Sequence, residues 1–137
     1  MKNILVLCTG NSCRSQMAEG YLRLYAGDKA DIYSAGIQTH GLNPKAVASM
    51  AADGVDISHH TSNLIDEYKH IDFDIVLTVC DHARENCPYF PTKAVTIHQN
   101  FSDPSKVIGT QLDIDEAFTS TRTLIKNWCQ QIVSEQV

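Results

Sequence analysis

Cys8-Thr9-Gly10-Asn11-Ser12-Cys13-Arg14-Ser15 is the segment whose residue types and spacing could do chemistry. A thiol and a guanidinium are separated by five residues, between the apolar run Ile4 to Leu7 and a stretch of helical periodicity. In a short loop that enters a helix, backbone N–H groups point inward together and the helix N-terminus adds partial positive charge. Gly10 and Asn11 tolerate the left-handed backbone such a cradle needs. Arg14 can grip two oxygens of a tetrahedral oxyanion with its planar fork. The same field favours a thiolate at Cys8, and Ser15, one turn into the helix, is placed to hydrogen-bond that sulfur. Thr9, Gly10, Asn11, Ser12, Cys13 and Arg14 therefore read as an oxyanion cradle with Cys8 as its nucleophile. A nucleotide P-loop is excluded, since no Gly-Lys-Ser/Thr ending is present. Cys8-x4-Cys13 and Cys80-x6-Cys87 lack the short ligand spacing of structural zinc sites, so no metal is expected.

Such a loop works only if a strand and a helix hold its ends. Ile4 to Leu7 has the length and continuous apolarity of a strand buried on both faces of a parallel sheet. Met17, Tyr21 and Leu24 recur at helical spacing, with Gly27 as a stop. Asp31 to Ala35 reads as a second strand. Asn43 and Pro44 give an N-cap and a proline at the first helical position, Val47, Met50 and Ala51 share a face, and Gly54 ends that helix. Asp74 to Val79 is a third strand that stops at Cys80, and Ala94 to His98 a fourth. From about Asp113, Phe118, Ile125, Trp128, Cys129 and Ile132 form the apolar stripe of a long closing helix. Alternating strands and helices predict an α/β domain with a four-stranded parallel sheet, binding its ligand at the carboxyl ends of the strands.

The chain has 137 residues, the size of one domain, with 43% hydrophobic residues to fill its core. Sixteen acidic against eleven basic residues leave a net charge of −5, and the basic residues are scattered, which argues against nucleic acid as a partner. Five cysteines are too few for a disulfide-rich secreted fold and cannot all pair within one chain. The short apolar run near the N-terminus is neither a signal-peptide core nor a membrane span, so a cytoplasmic protein with reduced thiols and no membrane partner is expected. A monomer is expected as well.

Cys8 through Gly20, then Ser34-Ala35-Gly36, Asp74 through Cys80, Asn86-Cys87-Pro88 and Asp103-Pro104 resemble the thioredoxin-coupled arsenate reductases of the low-molecular-weight tyrosine phosphatase fold, along nearly the whole chain. The anion loop would be shared with the phosphatases. The added pair Cys80 and Cys87 is the specific signal. The resemblance implies a three-layer α/β/α domain with strand order 2-1-3-4. It also implies that Cys8 attacks arsenate, that Cys80 attacks Cys8 and releases arsenite, that Cys87 attacks Cys80, and that thioredoxin reduces the final disulfide in a pathway of arsenic detoxification. Phosphate or sulfate would mimic the substrate, and no tightly bound cofactor is implied. In some family members a carboxylate after the Thr-Ser pair helps hold a potassium ion with groups matching Asn11 and Glu19. Asn63 stands there in this chain, which puts a potassium effect in doubt.

The chemistry accounts for the residues. Reduction of arsenate takes two electrons, and one dithiol becoming a disulfide supplies two. Strands one and three would be neighbours about 4.8 Å apart. A disulfide needs Cα atoms about 4.4 to 6.8 Å apart, so Cys8 and Cys80 can approach bonding range. Asp103, after strand four, lies at the same sheet edge, where a carboxyl group could protonate a departing oxygen. Cys13 and Cys129 read as packing, and His59, His60 and His82 as solvated or structural. A low-molecular-weight phosphatase would need only Cys8, Arg14 and Asp103, and a noncatalytic oxyanion carrier would need no reactive thiolate. A helix running unbroken from Cys80 to Cys87 would separate their Cα atoms by about 10.5 Å. Their disulfide would then have to open the segment from Cys80 to about Pro91.

Overall fold

β1 (Lys2–Cys8) runs between β2 (Ala30–Gly36) and β3 (Ile75–Thr78), and β4 (Val95–His98) pairs with β3, all parallel, in the order β2-β1-β3-β4. The computed structural model describes residues 1–85 and 94–137. Ile4, Leu5, Val6 and Leu7 are all fully buried. Successive strand side chains point to opposite faces, so burial of all four means that both faces of the sheet are covered. The sheet expected from the sequence is therefore the sheet found, with each strand shifted by one residue or two at its ends.

Four α-helices are found among the described residues: α1 (Arg14–Ala26), α2 (Pro44–Ala52), α3 (Asp81–Glu85) and α4 (Gln111–Gln136). α1 packs against β1, β2 and α4, and its residues Ser15 through Leu22 are all buried. The periodicity Met17, Tyr21, Leu24 misplaces the last member. Leu24 is 58% exposed and Leu22 is the buried leucine, because in the final turn only the side carrying Leu22 and Ala26 stays against the core. In α2 the Asn43 side chain accepts from the N–H groups of Lys45 (2.8 Å) and Ala46 (3.3 Å), as its cap position predicts. Ala46 and Met50 face inward, while Ala51 faces solvent. α4 begins at Gln111, two residues before the expected start. Thr110 and Asp113 cap it reciprocally: the Asp113 N–H donates to Thr110 Oγ1 (3.2 Å) and the Thr110 N–H donates to Asp113 Oδ2 (3.0 Å). Its buried stripe is Phe118, Thr121, Ile125, Cys129 and Ile132. Trp128 is only half-buried, its ring edge-on to Phe101.

The register brings the chemistry to one edge. Cys8 pairs with Gly36 across β1 and β2, and Leu7 with Thr78 across β1 and β3. The loop after β1, the end of β2 and the chain leaving β3 toward Cys80 thus meet at the carboxyl ends of the strands.

Candidate active site

The loop from Thr9 to Cys13 is fixed from beneath by Asn11, which takes a left-handed backbone with φ of 47°. Its buried side chain donates from Nδ2 to Ser15 Oγ (2.8 Å) and Ser34 Oγ (2.9 Å) and accepts from the Asn63 N–H (2.7 Å). Asparagine suits this position because it tolerates left-handed φ and its amide satisfies three partners. Ser15 therefore orders the loop through Asn11, and it makes no hydrogen bond to the Cys8 sulfur that the sequence suggested. Gly10 also has a different reason from the expected one. Its φ is not positive, but a Cβ there would lie 2.4 Å from His40 Nδ1. At Gly36 a Cβ would lie 2.3 Å from Gln38 O, 2.8 Å from Thr9 O and 2.9 Å from Asn11 N, so the end of β2 can pass under the loop only as glycine.

Above the loop lies a cavity of about 150 Å³ whose wall includes Cys8, Ser12, Cys13, Arg14, His40, Asp103 and Lys106. Arg14 Nη1 donates to Phe101 O (2.9 Å), and Nη2 stands 3.6 Å from Asp103 Oδ2. Its Nε is buried with no hydrogen-bond partner among the described residues. The edge carrying Nε and Nη2 is the one a tetrahedral oxyanion can take in two parallel hydrogen bonds. Asp103 Oδ1 accepts from Ser105 N (3.0 Å) and Ser105 Oγ (2.6 Å), which leaves Oδ2 directed to Arg14 and the cavity. His40 and Lys106 escaped sequence reasoning. They arrive from segments after β2 and β4, and no motif links them to the loop.

Cys8 and Cys80 are both buried free thiols, and each is the largest influence on the ionisation of the other. Two acids in contact cannot ionise independently, so the pair titrates as a unit. The Cys80 thiol and then burial push the Cys8 thiol up, and the Arg14 charge opposes this. Cys80 is lowered to about 5, first by the Cys8 hydrogen bond, against burial, then by Thr9 Oγ1 (3.3 Å), the Ala83 N–H (3.4 Å) and Arg14. The sequence predicts a thiolate favoured at Cys8; Arg14 does act in that direction, but Cys80 and burial outweigh it, and Cys80 is the thiol that is lowered. Burial, reinforced by Asp103, pushes Cys13 up to about 12. Burial also raises Cys129, whose Sγ lies 3.7 Å from Ala18 O in the core. Both fit packing roles. Cys87 lies outside the described residues.

The groups that the resemblance matches to a potassium site are engaged with protein partners here. Glu19 Oε1 accepts from Ser34 Oγ (2.6 Å), and Oε2 accepts from Arg23 Nε (2.8 Å) with His60 Nε2 at 3.5 Å. Asn63 donates from Nδ2 to Glu67 (3.1 Å) and accepts at Oδ1 from Thr61 (2.7 Å). The Glu19 charge is met by a guanidinium, and Asn63 brings no charge. His60 belongs to this buried network. Its Nδ1 lies 3.0 Å from Gln16 Oε1, and burial holds its imidazole below the usual range despite Glu19. No group of three His, Cys, Asp or Glu among the described residues is arranged to hold a metal ion, and no helix among them is long and apolar enough to cross a membrane.

The sequence profile described as low molecular weight phosphotyrosine protein phosphatase matches residues 3–137. Arsenate reductase 1 of Staphylococcus epidermidis is 54% identical over 104 residues, covering 76% of this chain and 79% of the relative. The arsenate reductase of Bacillus subtilis is 46% identical over 126 residues, covering 92% of this chain and 91% of its own. Among solved structures, an arsenate reductase in the oxidized state superposes with a TM-score of 0.82 at 27% identity, covering 98% of each chain. The loop between β1 and α1 thus comes with relatives over nearly its whole length, and the chain belongs to the low-molecular-weight phosphotyrosine protein phosphatase family, grouped with that family's arsenate reductases.

Proposed function

We propose that this protein reduces arsenate to arsenite through a relay of thiols, ending in reduction by thioredoxin. The observation that carries the reading is the second thiol: Cys80 is buried 3.3 Å from Thr9 Oγ1 of the loop and is the strongest influence on the Cys8 thiol, where a phosphatase needs one thiol only. Arsenate binds over the loop N–H groups and the Nε/Nη2 edge of Arg14. Cys8 Sγ forms a bond to arsenic, and the displaced oxygen leaves as water, with Asp103 placed to deliver the proton that Cys8 gives up. The Cys80 thiolate then attacks Cys8 Sγ. An S–S bond forms, the S–As bond breaks with its electron pair going to arsenic, and arsenite leaves as As(III) after taking protons from water. Two sulfurs have lost the two electrons that arsenic gained. Cys87 next attacks Cys80, which frees Cys8, and an external dithiol reduces the Cys80–Cys87 disulfide.

Cys8, Arg14 and Asp103 alone would also serve phosphate ester hydrolysis, and the family includes phosphatases. Coupled assays separate the readings. Arsenate-dependent NADPH oxidation with thioredoxin and its reductase should exceed that with glutaredoxin and glutathione. Aryl phosphate hydrolysis without arsenate-dependent NADPH oxidation in either system would make the protein a phosphatase instead.

A further inference from the structure

We propose that His82 is a positioning residue for the second thiol, its ring Nδ1 turning the Thr9 hydroxyl so that the O–H points at Cys80 Sγ. This rests on the reading of Cys80 as the thiol that attacks Cys8. Thr9 Oγ1 lies 3.3 Å from Cys80 Sγ and 3.1 Å from His82 Nδ1. A hydroxyl carries one hydrogen and two lone pairs. When Nδ1 bears a hydrogen, it donates to a Thr9 lone pair, and the single Thr9 hydrogen is left for the sulfur. A bare Nδ1 would compete for that hydrogen, and Cys80 would have to keep its own proton to donate back to Thr9.

The arrangement matters most in the second step. Once Cys8 is bonded to arsenic it has no S–H to give, so the Cys80 thiolate is left with the Thr9 O–H and the Ala83 N–H at 3.4 Å. Losing one of two hydrogen bonds to a charged sulfur raises the energy of the nucleophile's anionic form. His82 stands two residues beyond Cys80 in α3, exposed, and is not part of the oxyanion cavity wall. Its effect is therefore on Cys80 and not on oxyanion binding. No proton or electron passes to His82 in this role.

The test uses the full-length chain with Cys8→Ala and Cys87→Ala, which leaves Cys80 as the thiol of lowest midpoint. Ultraviolet thiolate absorbance is followed against pH for His82, His82→Leu and His82→Asn. An asparagine Nδ2 takes the place of Nδ1 and keeps a donor. The midpoint should rise in His82→Leu, return toward the parent in His82→Asn, and show no His82→Leu effect once Thr9→Val is present. In a Cys87→Ala protein given arsenate, His82→Leu should slow Cys8–Cys80 disulfide formation about tenfold, the worth of one hydrogen bond to a charged group, with the phosphate Kd unchanged. Equal midpoints for His82 and His82→Leu, no rescue by asparagine, or the same shift in the Thr9→Val background would each overturn the proposal. Failure of the Cys87→Ala parent to form any arsenate-dependent Cys8–Cys80 disulfide would defeat the reduction reading instead, while the arsenate-free titration still decides the role of His82.

Discussion

The two thiols titrate as a pair before substrate arrives. Cys80 and burial push Cys8 up, whereas Cys8 lowers Cys80, and the Cys80 thiolate has other donors to keep it low. Removing Cys8 removes the largest stabilising partner of that thiolate. The sign follows: a donor to the charged form lowers a pKa, so its loss raises it. In Cys8→Ala/Cys87→Ala the Cys80 midpoint should therefore move up from about 5 as read in the Cys87→Ala parent. An unchanged midpoint would mean that the two sulfurs do not titrate as a pair. Residue types pointed to the loop and to Cys8, since Cys-x5-Arg between a strand and a helix states its chemistry in a few adjacent positions, while the roles of Cys80 and Cys87 were what the family resemblance implied. They could not show the partner of each group. Ser15 was read as serving Cys8 and serves Asn11, and His40 and Lys106 carried no signal because only folding brings them to the cavity.

The elements place those residues through two close approaches. β2 ends under the anion loop at Gly36, where the atoms a Cβ would meet are all backbone. Gly36→Ala should push Thr9 and Asn11 upward and weaken phosphate binding at least about tenfold, the loss of roughly one charge-assisted hydrogen bond, as calorimetry would read it. An unchanged Kd would mean that the loop does not depend on this contact. α3 is the second element, held to Cys80 by the Arg84 N–H to Cys80 O (3.1 Å) and the Ala83 N–H to Cys80 Sγ. Forming the Cys80–Cys87 disulfide needs Cα atoms within about 7 Å, which an extended α3 would not allow. Amide exchange at Ala83 and Arg84 should speed up on oxidation while Leu5 and Val6 stay protected, and equal protection in both redox forms would show that the bond closes without opening α3. The strands were legible because apolar runs of strand length alternate with helical patterns, whereas their order was what the family resemblance implied. Leu24 and Ala51 were misread because a 3.6-residue period cannot say how wide the buried face is at each turn: Ala26 and Met50 are buried where Leu24 and Ala51 are not.

Across the whole molecule, stability and chemistry are kept apart. Asp53, at the end of α2, accepts from Tyr21 OH (2.8 Å) of α1 and from Lys126 Nζ (3.0 Å) of α4, far along the chain from the anion loop. The Tyr21 hydrogen bond and then Lys126 hold its carboxyl below the usual range. A lowered carboxyl adds stability above its unfolded pKa and loses it as pH falls through the folded one. Asp53→Ala should cost about 1 kcal/mol at neutral pH, the typical worth of the buried end of such a hydrogen bond. The gap from wild type should narrow in urea melts at acid pH, with phosphate affinity unchanged. The proposed thiol relay, by contrast, starts at the carboxyl ends of the neighbouring strands β1 and β3, and it is tested most directly by stopping it halfway. Cys87→Ala protein treated with one equivalent of arsenate and no reductant, then digested and read by mass spectrometry, should show one arsenite released per chain and a Cys8–Cys80 disulfide. Release of arsenite without that bond, or an intact pair of thiols after arsenate has been consumed, would contradict the account.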